Sequence, residues 1–236
     1  EFVKKDLVYR SKKPVYWSIP CRTALAEAEI EYKDHISPSI YVPFRLKNKE
    51  DGDFNESYLV IWTTTPWTLP ANLAIAVHPR EAYIEVITNQ KTYWVADKLC
   101  DNFITACGIV DFQKGKTVAG DELVSRETDH PFIDRKSPVV SAEYVTTESG
   151  TGCVHIAPGH GLDDYITGLQ NGLEVYCPLD DNGCYVDDGQ IPQSLVGVSI
   201  LEKASGCRAN EIVLDILREG SSLLALHEHH HQYPHC

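Results

Sequence analysis

The stretch SYLVIWTTTPWTLPAN, residues 57–72, changes character at one point. Up to Thr65 it is a run of β-branched and aromatic residues, which suit a pleated, half-buried surface. Pro66 cannot donate to a ladder, so the strand ends there. In an extended chain Thr63 and Thr65 point to one face and Thr64 to the other. One face therefore gains two hydroxyls at the mouth of a sheet. A hydroxyl donates and accepts, which suits a ribose hydroxyl, a carbonyl or a water without placing a charge there. Trp62 and Trp67 can wall an apolar or base-stacking pocket beside them. The bland alternative is that threonines simply favour strands.

The same grammar extends outward. VYWSI, IEY, SIYVPFRL, NLAIAVHP, AYIEVIT, KTYWVA and CVHIAP read as further strands, most of them bounded by Pro, Gly, Asn or Asp. ADKLCDNFITACG, LDDYITGLQNG and RANEIVLDILREG read as helices that stop at Gly108, Gly172 and Gly220. Strands outnumber helices and do not alternate strictly with them. The expected class is α+β, mainly β, with a β-barrel-like core and peripheral helices. The single low-complexity segment is HEHHHQYPH.

At 236 residues the chain can bury a real core, and 43% hydrophobic with 23% charged residues is ordinary for a globular protein. No apolar run reaches the length of a membrane span, and none of signal-peptide length follows the basic N-terminus, so a cytoplasmic location is expected. The eight cysteines form no CxxC pair and read as reduced, mostly buried thiols. There is no Met, and the chain ends on HHHQYPHC, which suggests an excised fragment. A net charge of −13 argues against a generally basic surface. Any nucleic acid would need a local patch, for which Lys4, Lys5, Arg10, Lys12 and Lys13 are the best candidate; the alternative is a solvated terminal face.

The second dense stretch is SGTGCVHIAPGHGLDDY, residues 149–165. A strand flanked by glycines turns through Pro158–Gly161 into a helix that begins near Leu162. Polar groups converge at this junction: His155 on the strand, His160 in the turn, Asp163 and Asp164 in the first helical turn. Acidic residues at a helix start also complement the macrodipole, which is the plainer account of Asp163.

Taken together, WTTTPWTLPANLAIAVHP and GTGCVHIAPGHGLDDY resemble the editing domain inserted in the catalytic core of class I isoleucyl-tRNA synthetases. The match covers nearly the whole chain as a single editing domain, with segments 1–20 and 227–236 resembling the connections to the catalytic core. Valyl and leucyl relatives usually carry Arg where this chain has Thr65, so the isoleucyl branch is favoured. The resemblance implies a second sieve. A binding pocket refuses valine against isoleucine by only about 1–3 kcal/mol, and these synthetases are themselves the standard illustration of that limit. A smaller pocket must then admit valine carried on the tRNA(Ile) 3' end, or valyl-adenylate, and hydrolyse it.

By the same resemblance Asp164 holds the α-ammonium group of the substrate, since a buried charge needs a partner. His155 faces the amino-acid side chain, where it narrows the pocket and helps order water. Thr63, Thr64 and Thr65 bind the adenosine, the ester and the attacking water; Trp62 and Asn72 shape the pocket. Trp67, His160 and Asp163 complete the candidate set. Positioned water and the substrate's own hydroxyl can suffice for an activated ester, so no general base is assigned. No metal and no cofactor are expected for this reaction, and no Walker or dinucleotide motif is present. ATP and Mg belong to the absent catalytic core. The expected partners are the tRNA and the rest of the synthetase, with no membrane and a monomeric fragment.

Two rival readings remain. His155, His160 and Asp163 form a loose ligand set for a metal-dependent hydrolase, although HxxxxHxxD lacks the usual helical spacing; the terminal His227, His229, His230, His231, His235 and Cys236 can also attract a transition metal. A non-catalytic tRNA-binding insert would keep the fold without turnover.

Overall fold

The computed structural model describes residues 1–47, 56–202 and 206–235. Strands β1 (Trp17–Ser18) and β2 (Thr23–Ala24) form a small hairpin. The main sheet takes β3 (Glu31–Leu46), β4 (Glu56–Thr63), β5 (Ala74–Val77), β6 (Ala82–Ile87) and β7 (Lys91–Ala96). After helix α1 (Cys100–Ala106) come β8 (Gln113–Ala119), β9 (Glu127–Asp129), β10 (Lys136–Ser141) and β11 (Cys153–Ile156). Helices α2 (Leu162–Gln170) and α3 (Arg208–Glu219) precede the last strand, β12 (Ala225–His235). The three glycine stops lie one or two residues beyond the three helices, as the sequence predicts.

Across the sheet the order is β11, β5, β10, β9, β3, β4, β7, β6, β8, with β12 added to β3. The β5–β10 and β4–β7 pairs are parallel and the others antiparallel. The mainly β, α+β class is as expected, but the sheet stays open and is not a closed barrel. Residues 31–46, read as separate short strands, form one sixteen-residue strand despite Pro38 and Pro43. Both prolines sit where one edge of β3 is unpaired. Pro38 lies before the β4 pairing starts at Ile40, and Pro43 lies between the end of β12 at Tyr41 and the start of β9 at Arg45. A proline costs no ladder bond there.

The helices are not all peripheral. Ala209, Val213 and Leu217, spaced four apart on α3, are fully buried with Ile40, Phe44, Ile61 and Leu69. Each large apolar side chain so buried contributes about 1.5–3 kcal/mol. Helix α1 closes a second cluster, where Phe103 packs with Tyr41, Val60 and Val95. Helix α2 does lie outside, with Leu162, Ile166 and Leu169 exposed. Of the described cysteines, Cys100, Cys153 and Cys207 are buried, whereas Cys21 and Cys177 are exposed, so burial is less general than expected. Cys236 lies outside the described residues. No helix among the described residues is long and apolar enough to cross a membrane.

Candidate active site

Strand β4 ends at Thr63, and Pro66–Ala71 follow as a 3-10 turn. Three threonine hydroxyls part company here. Thr63 is buried, and its Oγ1 accepts the Thr65 amide at 3.1 Å, so it shapes the turn. The half-buried Thr64 and Thr65 hydroxyls have no partner among the described residues. The turn brings a fourth threonine to the site, which the sequence reading missed. Thr68 Oγ1 donates to the Thr65 carbonyl at 2.8 Å and lies 3.0 Å from His155 Nε2. The signal was present: in a 3-10 turn residues three apart eclipse, which sets Thr68 over Thr65.

Strand β5 joins the two motifs. It follows the turn directly and pairs antiparallel with β11, His155 opposite Ile75. Since the single Thr68 proton goes to Thr65, the 3.0 Å contact requires His155 Nε2 to carry the hydrogen. Nδ1 is then a bare acceptor, and it is buried without a partner among the described residues. Burial and the neighbouring His160 lower the His155 pKa to about 4, so the ring is neutral at pH 7. Burial alone brings His160 to about 4, with the Trp67 ring 5.2 Å away and nearly perpendicular to it.

Asp164 stands in the first turn of α2. Its carboxylate folds back over Gly161 so closely that a Cβ there would lie 1.9 Å from Oδ2, which leaves room for glycine only. Burial raises its pKa to about 7; the Ala157 amide, two residues beyond His155, opposes the rise, and the Asp163 charge adds to it. Asp163 itself is exposed, in keeping with a macrodipole role.

Trp62 and Trp67 do not wall one pocket. Neighbours along a strand face opposite ways, and Trp62 stands on the face opposite Thr63, its Nε1 donating to Ser39 Oγ at 2.7 Å. There it borders a cavity of about 200 Å³ with Tyr144, Ser149, Gly150, Thr151 and Val154. Gly150 has φ +76°, and a Cβ on it would press on the Trp62 ring at 3.0 Å, so glycine lets the loop close over the indole. Neither His155 nor the threonines line this cavity. Tyr144 links it to the site, because its phenol lies near Thr167 and the Asp164 charge. Asn72 is also not at a wall: it is fully buried, donating to the Ala74 carbonyl at 2.8 Å and accepting from Ser137 Oγ at 2.5 Å. It supports the turn from beneath.

Among the described residues no three His, Cys, Asp or Glu side chains are placed to hold a metal ion, so His155, His160 and Asp163 do not form a ligand set. The terminal histidines lie on β12, where His229 and His231 pack edge to ring with Trp62 and Tyr233.

Residues 1–182 match the family of tRNA synthetases class I (I, L, M and V). The chain belongs to this family. Among the relatives it resembles are isoleucine--tRNA ligases. It is 47% identical to the isoleucine--tRNA ligase of Fervidobacterium pennivorans over 99% of the chain and 24% of that protein. It is 43% identical to that of Desulfotalea psychrophila over the whole chain and 25% of the relative. The chain thus spans about a quarter of the length of the class I synthetases it matches. In fold it is similar to the crystal structure of GlLeuRS-CP1, with a TM-score of 0.58 at 14% identity, covering 78% of this chain and 97% of the other. The resemblance drawn from the two motifs is thereby borne out.

Proposed function

We propose that the chain hydrolyses a misformed aminoacyl ester at the 3' end of tRNA, as the editing unit of an isoleucyl-tRNA synthetase, with Val-tRNA(Ile) as substrate. The observation that carries this reading is the Asp164 carboxylate, lifted to about 7 by burial and facing the Ala157 amide just past the strand of a neutral His155, whose ring lies 3.0 Å from Thr68.

A carboxyl group that burial holds half-protonated near pH 7 is poised to ionise when a cation arrives. The α-ammonium group of an aminoacyl ester supplies that cation, and pairing draws the Asp164 pKa back down. The ester is thereby anchored at its α-carbon. A neutral His155 ring, fixed by Thr68, limits the space for the side chain beyond. One methylene is what separates valine from isoleucine, so a wall at this point discriminates between them. The Thr64 and Thr65 hydroxyls hold the ester and the attacking water, and positioning is the main catalytic contribution. The cavity between Trp62 and Tyr144 offers aromatic faces and peptide edges to the terminal adenine base. The proposed chemistry uses no metal or cofactor. The same site fits valyl-adenylate, which carries the same ammonium and side chain. The remaining three quarters of the synthetase would supply the other tRNA contacts.

Asp164→Ala tests the reading. Deacylation of Val-tRNA(Ile) should fall by orders of magnitude while the circular dichroism spectrum is unchanged. Wild-type turnover in the variant would remove Asp164 from the mechanism, and absence of turnover in the wild-type chain would leave a tRNA-binding insert as the better account.

A further inference from the structure

The turn Pro66–Ala71 carries the Trp67 ring against His160 and the Thr68 hydroxyl against His155, yet its own prolines leave it short of backbone bonds. In a 3-10 turn each carbonyl accepts from the amide three residues on. The Trp67 carbonyl would accept from residue 70, which is proline and has no N–H. The Trp67 amide sits in the first turn, where helix donors have no internal partner. Both backbone polar groups of Trp67 are therefore orphaned by the sequence of the turn itself.

Two side chains from the far end of the chain supply the missing partners. Asn210, in the first turn of α3, accepts the Trp67 amide through Oδ1 at 3.0 Å. The Tyr185 hydroxyl donates to the Trp67 carbonyl. Tyr185 is 2% exposed, and burial raises its pKa, so the phenol stays a donor at every working pH. Asn210 is held in turn by α3, whose Ala209 and Val213 are fully buried.

Resting on the hydrolytic reading above, we infer that Asn210 and Tyr185 are positioning residues of the editing site. They clamp Trp67 and so set where its ring and the Thr68 hydroxyl meet His160 and His155. The clamp makes the size limit of the pocket depend on α3 and on the loop around Tyr185, neither of which contributes a group to the reaction.

Asn210→Ala and Tyr185→Phe each remove one half of the clamp, and Asn210→Asp restores an acceptor. The measurement is kcat/KM for Val-tRNA(Ile) and Ile-tRNA(Ile), with thermal melting to confirm folding. The valyl-to-isoleucyl ratio should fall by about tenfold or more in Asn210→Ala and Tyr185→Phe, a sizeable part of what one methylene can be worth. It should recover in Asn210→Asp. A merely structural role would lower the melting temperature with the ratio unmoved, and that result overturns the proposal. A second readout is independent of turnover: the ring C–H proton resonances of His155 and His160 should shift in Asn210→Ala and return in Asn210→Asp. If the wild-type chain hydrolyses neither ester, the hydrolytic reading fails, and these resonances still decide the clamp: unmoved, they refute it.

Discussion

Asp164→Asn should make the protein more stable above neutral pH while abolishing its proposed activity. Folding raises the Asp164 pKa from 3.8 to about 7, chiefly by burial. At about 1.36 kcal/mol per pH unit, that is up to about 4 kcal/mol of preference for the neutral acid in the native state. The site is partly open, which reduces the figure, and about 2–4 kcal/mol is the working range. An acid whose pKa rises on folding binds more protons native than unfolded between about pH 4 and 7. The wild type therefore loses stability as pH climbs through that window, and the loss is complete above about pH 7. Asparagine keeps the shape and an acceptor for the Ala157 amide but never ionises. Urea unfolding of both proteins at pH 4, 6 and 8 measures the difference. The variant should exceed the wild type by about 2–4 kcal/mol at pH 8, by less at pH 6, and by little near pH 4. A variant no more stable than wild type at pH 8 would mean that the carboxylate is satisfied in the empty site, and the ammonium argument would lose its basis. Such a cost at a functional group is an instance of stability yielding to activity.

His155→Ala should open the pocket, so that Ile-tRNA(Ile) becomes a substrate; sparing of the isoleucyl ester would show that His155 is not the size gate. Thr68→Val keeps the volume but strands the buried His155 Nε2 hydrogen, at a cost of about 1–3 kcal/mol in urea unfolding, and the valyl-to-isoleucyl preference should fall with it. His155 and His160 add an acid limb: their pKa values fall on folding, so the stability they confer is present above about pH 6.5 and is lost as pH drops toward about 4. Guanidinium unfolding of His160→Phe should show a weaker acid limb than wild type. Leu217→Ala on α3 should cost about 2–5 kcal/mol in the same assay, because a fully buried leucine leaves a cavity.

Much of the fold was legible because its signals are local. Helix α3 shows a four-residue apolar spacing and a terminal glycine, and β4 shows a β-branched run closed by Pro66. Strand β12 was not legible: HEHHHQYPH has no apolar alternation, and its pairing depends on β3, with His231 opposite His35. Its half-buried histidines pack on each other and on aromatic rings instead. Within the site, the β5–β11 pairing brings His155 of one motif to Thr68 of the other, and Asp164 faces the Ala157 amide two residues beyond His155. Asn72 and Asp163 shared the motifs by sequence proximity but point elsewhere, one into the core and one into solvent. Tyr185 and Asn210 could not be found in the sequence, because what selects them is a backbone deficit at Trp67, more than a hundred residues away.

The most direct test of the account is deacylation of Val-tRNA(Ile) against Ile-tRNA(Ile) by this chain at low salt, with and without a chelator. Low salt preserves the electrostatic part of tRNA binding in a chain of net charge −13. The account predicts hydrolysis of the valyl ester, sparing of the isoleucyl ester, and indifference to the chelator. Equal attack on both esters, or loss of activity with the metal, would contradict it.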